Sequence, residues 1–421
     1  MTVPKLRIAW FSALNLGACG PSTSGWVSDL LLPELSSRFE IELFCDSFKR
    51  YPGFATRNFV AACERHREAP FDLFFYQLED RKESDFVRLH IGLMPGIVYF
   101  HDFLLTQDGP PALCSSRWQE TVAAFNAEGP RLVEHLGVTT PEALREGALA
   151  GVALFSDERH HDLFRTHVTE RIGKGSKQEL IRSCYLPFPL RPQSLKATAG
   201  QEICFCGSPR IEHRAHKMLA AIQAVDRGLH LHWLIDRSER PQAQALIKEF
   251  GLESVELIEG RSPSRWQELV RHCDIALHPL FSVYGQTGPY LEISLGSGLT
   301  VISSDFGASD YLSGSQVYLV EPGLTEAQEF EAALRSVLTG NRAAPETIAA
   351  AVLEQHDVRV VADELSRIFI DSAPLLAELM QNFETQITAE RQRLLAECAR
   401  LADNPPSEVL ESAFADLGWR G

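Results

Sequence analysis

The sequence lacks the features of several protein classes. No run approaches the 18 or more apolar residues of a membrane-spanning helix. Residues 1–17 show no apolar run between a basic start and a cleavage site, so we expect no signal peptide. Basic residues are also few, because 40 Lys and Arg against 56 Asp and Glu give a formal net charge of -16. That balance argues against nucleic acid or an anionic membrane as the main partner, since both favour clustered positive charge.

Paired cysteine spacing is also lacking. The nine cysteines are scattered, and Cys204 and Cys206, two positions apart on a predicted strand, have no second pair to accompany them. The pattern therefore indicates neither a disulfide framework nor a zinc motif. We expect a protein of the reducing cytoplasm.

The sequence does contain alternating strand and helix patterns in two runs. A chain of 421 residues is too long for one ordinary core and suggests two domains. Short apolar runs typical of buried parallel strands alternate with helical segments, predicted at 56–68, 82–91 and within 110–150 among others. This alternation predicts an α/β protein with two doubly wound, Rossmann-like domains facing a cleft.

Domain boundaries follow from proline and from the helical pattern. Prolines at 187, 189 and 192 predict a stiff linker. We therefore predict an N-terminal domain over 1–190, a C-terminal domain over 191–350, and a helical segment over 351–421 with breaks near Pro374 and Pro405. The apolar stripe of 375–402 is expected to cover the chain's own core, with a homodimer seam as the alternative.

The stretch from Ile275 to Asp305 carries the strongest functional pattern. It reads as a buried strand, a polar loop containing Gly288, a short helix opened by Pro289, and a second buried strand. Ligands of parallel sheets bind where loops leave the carboxyl ends of strands. Glu292, on the short helix, would place one carboxylate beside exposed backbone amides, which suits ribose hydroxyls and phosphates of a nucleotide.

Other loops follow predicted strands in the same way. Gly25 opens a helix after a glycine-containing loop, although the loop is not G-x-G-x-x-G and so gives little support to dinucleotide binding. His101 and Asp102 directly follow the strand at 95–100. Three cations after the strand at 202–207 share one face of a predicted helix, namely Arg210, Arg214 and Lys217.

The stretch around Glu292 resembles the nucleotide-sugar site of retaining GT-B glycosyltransferases of family four. That family carries a Glu-x7-Glu signature, and Glu292 matches its second glutamate. Tyr284 stands where the first glutamate is expected. Gly298 lies six residues after Glu292, whereas the family has a glycine five residues after its second glutamate. The motif is therefore degenerate.

The resemblance implies a GT-B fold with C-terminal helices that cross back to the first domain, and a hexosyltransferase-type activity of carbohydrate biosynthesis. It assigns catalytic roles to His101 and Asp102. The donor would contact residues of three segments, namely the start of the first helix, the helix after the strand at 202–207, and the signature loop, which we define as 284–292. These residues are Gly25, Arg210, Arg214, Lys217, Tyr284, Thr287, Gly288 and Glu292.

The implied partners are a nucleotide-sugar donor and an acceptor of unknown class. No Asp-x-Asp occurs, which disfavours a metal-dependent transferase of the other common fold, so we expect no metal and no cofactor. Two alternatives stay open: a nucleotide-sugar epimerase on the same scaffold, and a non-catalytic GT-B subunit that binds a nucleotide sugar. Tyr284 favours the second alternative.

Overall fold

Two parallel sheets organise the structure, a computed structural model that describes residues 5–16, 21–105, 132–135, 138–141, 144–172, 182–193, 201–225, 228–280, 288–305, 317–340 and 343–401. The chain divides into two units. The first unit comprises 1–20, 31–186 and 362–421, and the second comprises 21–30 and 187–361.

The first unit is built on a seven-stranded parallel sheet in the order β3-β2-β1-β4-β5-β8-β9. Its strands are β1 (Arg7–Phe11), β2 (Glu40–Cys45), β3 (Ala55–Asn58), β4 (Leu73–Leu78), β5 (Ile97–Phe100), β8 (Val152–Phe155) and β9 (Arg182–Tyr185). Strands β6 (Leu132–His135) and β7 (Val138–Pro141) pair separately as an antiparallel ladder. Every residue of the central strand β4 is buried, as the continuous apolar run LFFYQL predicts for a strand covered on both faces.

Helices alternate with these strands along the chain. They are α1 (Thr23–Leu35), whose first half belongs to the second unit, α2 (Ala62–Glu68), α3 (Asp85–Leu93), α4 (Leu144–Leu149) and α5 (Glu158–Ile172), with 3-10 turns at Phe59–Ala61 and Lys82–Ser84.

Two predicted helices of this unit are corrected by the structure. The segment 56–68 begins as the edge strand β3, whose alternately exposed residues pair with β2, and only its second half is helical. Asn58 separates the two, because its side-chain oxygen accepts from the Val60 N–H at 3.2 Å and caps the 3-10 turn. Within 110–150, the described residues form the β6–β7 ladder before α4, where helices were predicted. The other residues of that predicted segment, 110–131, 136–137 and 142–143, lie outside the described residues.

The second unit is built on a six-stranded parallel sheet in the order β12-β11-β10-β13-β14-β15. Its strands are β10 (Glu202–Cys206), β11 (His230–Ile235), β12 (Val255–Glu259), β13 (Ile275–His278), β14 (Thr300–Ser304) and β15 (Val317–Val320). The chain first builds outward through β11 and β12, then returns to β13 on the other side of β10. The strand order therefore reverses between β10 and β13.

The helices of the second unit are α6 (Ala215–Val225), α7 (Arg240–Glu249), α8 (Pro263–Leu269), α9 (Tyr290–Gly296), α10 (Glu326–Leu338) and α11 (Pro345–His356), with 3-10 turns at Ile211–His213, Arg237–Glu239 and Val270–His272. One core lies between the sheet and α6, α7 and α10. Residues Ile203, Leu231 and Trp233 of the strands are fully buried in it.

The last helix, α12 (Val358–Leu401), runs through the break predicted at Pro374. Pro374 has no N–H to donate to the Ile370 carbonyl, four residues earlier. Both residues are exposed, so that carbonyl can bind water and the helix continues. Phe369 packs on Phe39 and Phe75 with ring centroids 5.5 and 5.2 Å apart, and Leu376 is fully buried. This part of α12 covers the core of the first unit. No helix among the described residues is both long and apolar enough to cross a bilayer.

Candidate functional site

The reversal of strand order in the second unit places two loops side by side. Strands β10 and β13 are hydrogen-bonded in parallel, so the loops that follow them leave from the same sheet edge. In doubly wound sheets such a switch point is where ligands bind. The loop after β10 leads to Arg210 and Arg214, and the loop after β13 leads to Gly288 and Glu292. The structure therefore brings two of the predicted donor-binding segments to neighbouring strand ends.

Glycines with left-handed backbone lie on both sides of α9. Gly288 has a φ of +62°, a left-handed conformation that L side chains adopt at a cost, and it leads into the first turn of the helix. Gly298, with a φ of +74°, ends the helix, and its N–H donates to the Leu295 carbonyl at 2.8 Å. Glu292 lies in the first turn and is only 6% exposed. A carboxylate buried beside a helix N-terminus is stabilised there by the helix dipole.

A hydrogen-bonded network fixes α9 against its neighbours. The Ser294 hydroxyl donates to the Tyr290 carbonyl at 2.7 Å, and the Trp266 indole N–H donates to the same carbonyl at 2.8 Å. His278, the last residue of β13, has its Nε2 3.1 Å from the Ser294 hydroxyl oxygen. Since that hydroxyl donates to Tyr290, its oxygen accepts from the Nε2–H of His278. The first turn that carries Glu292 is thus held from two sides.

His278 is a neutral imidazole at physiological pH. Burial lowers the pKa of His278 to about 3, because the charged form would lose its hydration. Its ring meets the ring of Trp266 edge-on, with centroids 5.9 Å apart. His278 therefore acts in this network as a rigid hydrogen-bond donor, not as a cation.

Close packing shapes the loop after β10. A Cβ on Gly207 would lie 2.5 Å from the Phe205 ring, so only glycine fits without a shift of that ring. The Gly207 carbonyl accepts from the Trp233 indole N–H at 2.8 Å. Ser208 is buried, and its hydroxyl accepts from the Arg210 N–H at 3.3 Å.

The basic residues after β10 do not form the predicted helical face. Arg210 is exposed and precedes the 3-10 turn, whereas Arg214 has a φ of +51° and separates that turn from α6. The left-handed residue interrupts the helical spacing, so only Lys217 lies on α6. The prediction of one face is therefore wrong. The phosphate-binding roles of the three cations stay predictions.

Arg214 is oriented by a buried carboxylate. Its Nε donates to Oε1 of Glu326 at 3.2 Å, and its terminal NH2 nitrogen bonds Oε2 of the same residue. Glu326 opens α10 and is fully buried, while the Arg214 side chain is 16% exposed. Such a two-bonded pair fixes the plane of a guanidinium. This pairing could not be predicted from the sequence, because the partners are 112 residues apart.

Gly25 is placed near the start of α1, in the part of that helix that belongs to the second unit. Its N–H donates to the Ser22 hydroxyl at 2.9 Å, which caps the helix. Trp26, the next residue, places its indole nitrogen 3.5 Å from the Gln267 side-chain oxygen of α8. Gly25 is buried, and its N–H serves the helix cap.

His101 and Asp102 follow β5 of the first unit, as predicted. His101 is buried, its Nε2 lies 2.9 Å from the Gln77 side-chain oxygen, and its ring packs edge-on against Tyr99. Burial lowers the pKa of His101 to about 3, so the ring is neutral and its Nε2 carries the proton donated to Gln77.

Asp102 has the opposite shift. Desolvation raises the pKa of Asp102 to about 7, opposed by the hydrogen bond that its carboxylate accepts from the Asp80 N–H at 2.6 Å. A carboxyl group with a pKa near 7 can exchange a proton at physiological pH, which a general acid or base requires. The catalytic roles of His101 and Asp102 stay predictions.

Two predicted donor-binding residues, Tyr284 and Thr287, lie outside the described residues. Conversely, Trp266, His278 and Ser294 belong to the site but were missed by the sequence analysis. Only His278 had a readable signal, since it is a polar residue at the end of an apolar strand. The other two, Trp266 and Ser294, are recognisable only from side-chain contacts with residues 16 to 28 positions away.

The sequence matches no protein-family model and no curated protein. Solved structures do resemble the chain. Sucrose-phosphate synthase from Thermosynechococcus elongatus aligns with a TM-score of 0.62 at 13% identity, over 87% of this chain and 99% of that one. HepE from Anabaena, in complex with UDP-glucose, gives 0.60 at 12% identity, over 87% and 100%. AviGT4, a glycosyltransferase involved in avilamycin A biosynthesis, gives 0.55 at 16% identity, over 88% and 98%.

These likenesses extend over nearly the whole length of each solved chain and over both units of this one. Together with the two doubly wound sheets, they show that the chain has the GT-B fold, as the sequence predicted. At such low identity the likeness concerns the fold, and the chemistry has to be argued from the site.

Proposed function

We propose that this chain is a glycosyltransferase that transfers a sugar from a nucleotide-sugar donor, with the nucleotide bound at the carboxyl ends of β10 and β13. The observation that carries the proposal is Glu292, a buried carboxylate in the first turn of α9 beside the strand-order reversal. A carboxylate at this place is suited to accept from ribose hydroxyls. HepE, which has the same fold, has been solved with UDP-glucose, which favours a uridine nucleotide as the first donor to test.

The finer assignment rests on the resemblance of the signature loop. We propose a family-four-like hexosyltransferase that acts with retention and without a metal ion. Retaining transfer asks the protein to stabilise the departing diphosphate and to orient the sugar. Arg214, oriented by Glu326, is the residue we assign to the diphosphate. His101 and Asp102 are assigned to the sugar.

We place this activity in the cytoplasm. Six cysteines whose side chains the structure describes are free thiols: Cys45, Cys63, Cys184, Cys204, Cys206 and Cys273. Free thiols persist where the medium is reducing.

The test is release of nucleoside diphosphate from a panel of UDP-, GDP- and ADP-sugars, with and without candidate acceptors. We expect slow hydrolysis of one donor, accelerated by the right acceptor. Interconversion of the sugar without nucleotide release would instead identify an epimerase, and tight binding without any turnover would identify a non-catalytic subunit. Either result overturns the transferase proposal.

The Glu292→Gln variant ties that activity to the site. Loss of a hydrogen bond to a charged group should weaken nucleotide binding by about 1.5–3 kcal/mol, measured by calorimetric titration. Glu268→Gln is the matched control, because Glu268 is an exposed carboxylate of α8 in the same unit. Equal nucleotide affinities in Glu292→Gln and Glu268→Gln would show that Glu292 does not bind the nucleotide.

A further inference from the structure

A cluster of metal-binding side chains lies at the other edge of the second sheet. Glu202 is the first residue of β10, and His230 and His232 lie at the start of β11. The strands are parallel, so these residues lie at their amino ends, whereas the candidate nucleotide site lies at the carboxyl ends. A strand of five residues separates the two edges by about 16 Å.

The strand register places the three side chains on one face. Glu202 pairs with His230, and His232 follows two positions later on the same face. The alternating residues Ile203 and Leu231 point to the opposite face, into the core. The cluster is therefore produced by β-sheet pairing, not by a motif in the sequence.

The three ligand atoms are close to the spacing that a tetrahedral ion needs. Oε2 of Glu202 lies 3.2 Å from Nδ1 of His230 and 2.7 Å from Nε2 of His232, and the three atoms lie within 4.8 Å of one another. Ligands at about 2.0–2.1 Å from a tetrahedral Zn²⁺ are separated by about 3.3 Å. Small side-chain rotations would satisfy that geometry.

A fourth side chain supports the cluster from the next strand. Nδ1 of His232 lies 2.9 Å from Oε2 of Glu256, its register partner on β12. A histidine that ligates zinc through one ring nitrogen commonly donates from the other to a carboxylate, which fixes its tautomer and orientation. This contact directs Nε2 of His232 toward Glu202.

We propose that Glu202, His230 and His232 bind one Zn²⁺ ion, with Glu256 positioning His232. Two imidazoles and one carboxylate are a known zinc ligand set, which leaves a fourth position for water. The His230 and Glu202 side chains are 42% and 40% exposed, so an ion can enter from solvent. The ion would tie β10 to β11 and stabilise the second unit. It takes no part in the proposed sugar transfer.

The test uses the full chain, dialysed against a chelator and titrated with ZnCl2 in competition with a chromophoric chelator. We expect one high-affinity equivalent and a rise in melting temperature with free Zn²⁺, since an ion that binds the folded state stabilises it. The His230→Ala and Glu202→Gln variants should lose that equivalent. Both alter partly exposed side chains, and circular dichroism checks that each variant is folded.

Two further variants make the test specific. Glu256→Gln keeps all three ligands and should weaken Zn²⁺ binding about 10–100-fold. His272→Ala removes an exposed histidine outside the cluster and should bind like the wild type. Equal Zn²⁺ affinity in the wild type and His230→Ala, or no high-affinity equivalent in the wild type, would overturn the proposal.

Cobalt identifies the ligands independently. Co²⁺ bound by histidine and carboxylate shows visible ligand-field bands without the near-ultraviolet charge-transfer band of a thiolate. We expect the first spectrum, and we expect His230→Ala to abolish it. A thiolate band would assign the ion to a cysteine and contradict the proposed ligand set.

Discussion

The carboxyl ends and the amino ends of the strands form two opposite edges of the second sheet, which we call its carboxyl edge and its amino edge. Histidine and glutamate occur at both edges but in different environments. At the carboxyl edge, His278 is buried beside Trp266 and bonds the Ser294 hydroxyl, and burial holds its pKa near 3. At the amino edge, His232 contacts the carboxylates of Glu202 and Glu256 and remains partly exposed. His278 is therefore a neutral hydrogen-bond donor in a rigid network. His232 and its carboxylate neighbours instead form a group of possible metal ligands that a cation can reach from solvent.

The difference shows that residue type alone does not assign chemistry. A histidine buried without a charged partner positions its neighbours, because ionising it would be costly. A histidine between carboxylates is suited to hold a cation. The following predictions separate the two edges, beginning with the largest expected effect.

Removing Trp266 should be the most damaging change at the carboxyl edge. Trp266 is fully buried and donates to Tyr290 and Ser294, so Trp266→Ala should lower the free energy of unfolding by about 3–5 kcal/mol. At the amino edge, His230→Ala in the presence of a chelator should stay within about 0.5 kcal/mol of the wild type. Urea denaturation measures both. Similar losses in the two variants would contradict the proposed contrast.

The second prediction concerns His101 of the first unit, which is a buried, neutral histidine like His278. The N–H of His101 is already donated to Gln77, so we assign this residue to positioning the sugar, and His101→Ala should lower kcat about 100-fold, the order of loss when a reacting group is misplaced. The nucleotide dissociation constant should be unchanged, because the nucleotide is assigned to the second unit. Single-turnover kinetics and calorimetry measure the two quantities. Full activity in the variant would reduce His101 to a structural residue.

The third prediction uses both ends of one strand. Arg214 follows the carboxyl end of β10, and Glu202 begins it. Arg214→Ala should weaken binding of nucleoside diphosphate about 1.5–3 kcal/mol more than binding of the bare nucleoside, and added salt should shrink the difference. Glu202→Gln should change neither affinity. Equal losses for both ligands in Arg214→Ala would mean that the arginine serves only its pairing with Glu326.

Much of this arrangement could be predicted from the sequence, because it depends on local patterns. Apolar runs such as β4 and β13 identify buried strands, and Gly288, Pro289 and Glu292 identify the loop and helix that follow β13. Their positions need only the period of a strand and the chemistry of a turn. The order of these elements predicts two doubly wound domains, and the resemblance of the stretch around Glu292 to family-four glycosyltransferases implies the GT-B fold.

The remaining features depend on contacts between distant residues. Arg214 meets Glu326 across 112 positions, and the left-handed backbone at Arg214 breaks a helical spacing that looked continuous. The His232 contact with Glu202 arises from the register of two strands 30 positions apart. Periodicity carries no information about such pairings, so the sequence predicted neither the oriented arginine nor the cluster at the amino edge.

The last prediction concerns pH and His278. The unfolded chain binds a proton at this histidine below its ordinary pKa of 6.5, whereas the folded chain binds it only below about 3. Stability from this residue is therefore complete above pH 6.5 and is lost as the pH falls from 6.5 toward 3, by about 1.4 kcal/mol per pH unit.

The His278→Gln variant should remove that contribution. His90, His101 and His356 are also buried with lowered pKa values, so the variant keeps a pH dependence of the same sign. The difference between the two proteins isolates His278. We expect the urea midpoint of the variant to fall less steeply between pH 6.5 and 4.5. His272→Gln, at an exposed site, measures the effect of losing any one imidazole. Parallel pH profiles of wild type and His278→Gln would show that His278 can be protonated within the folded protein, and the contrast between the two edges of the sheet would then fail.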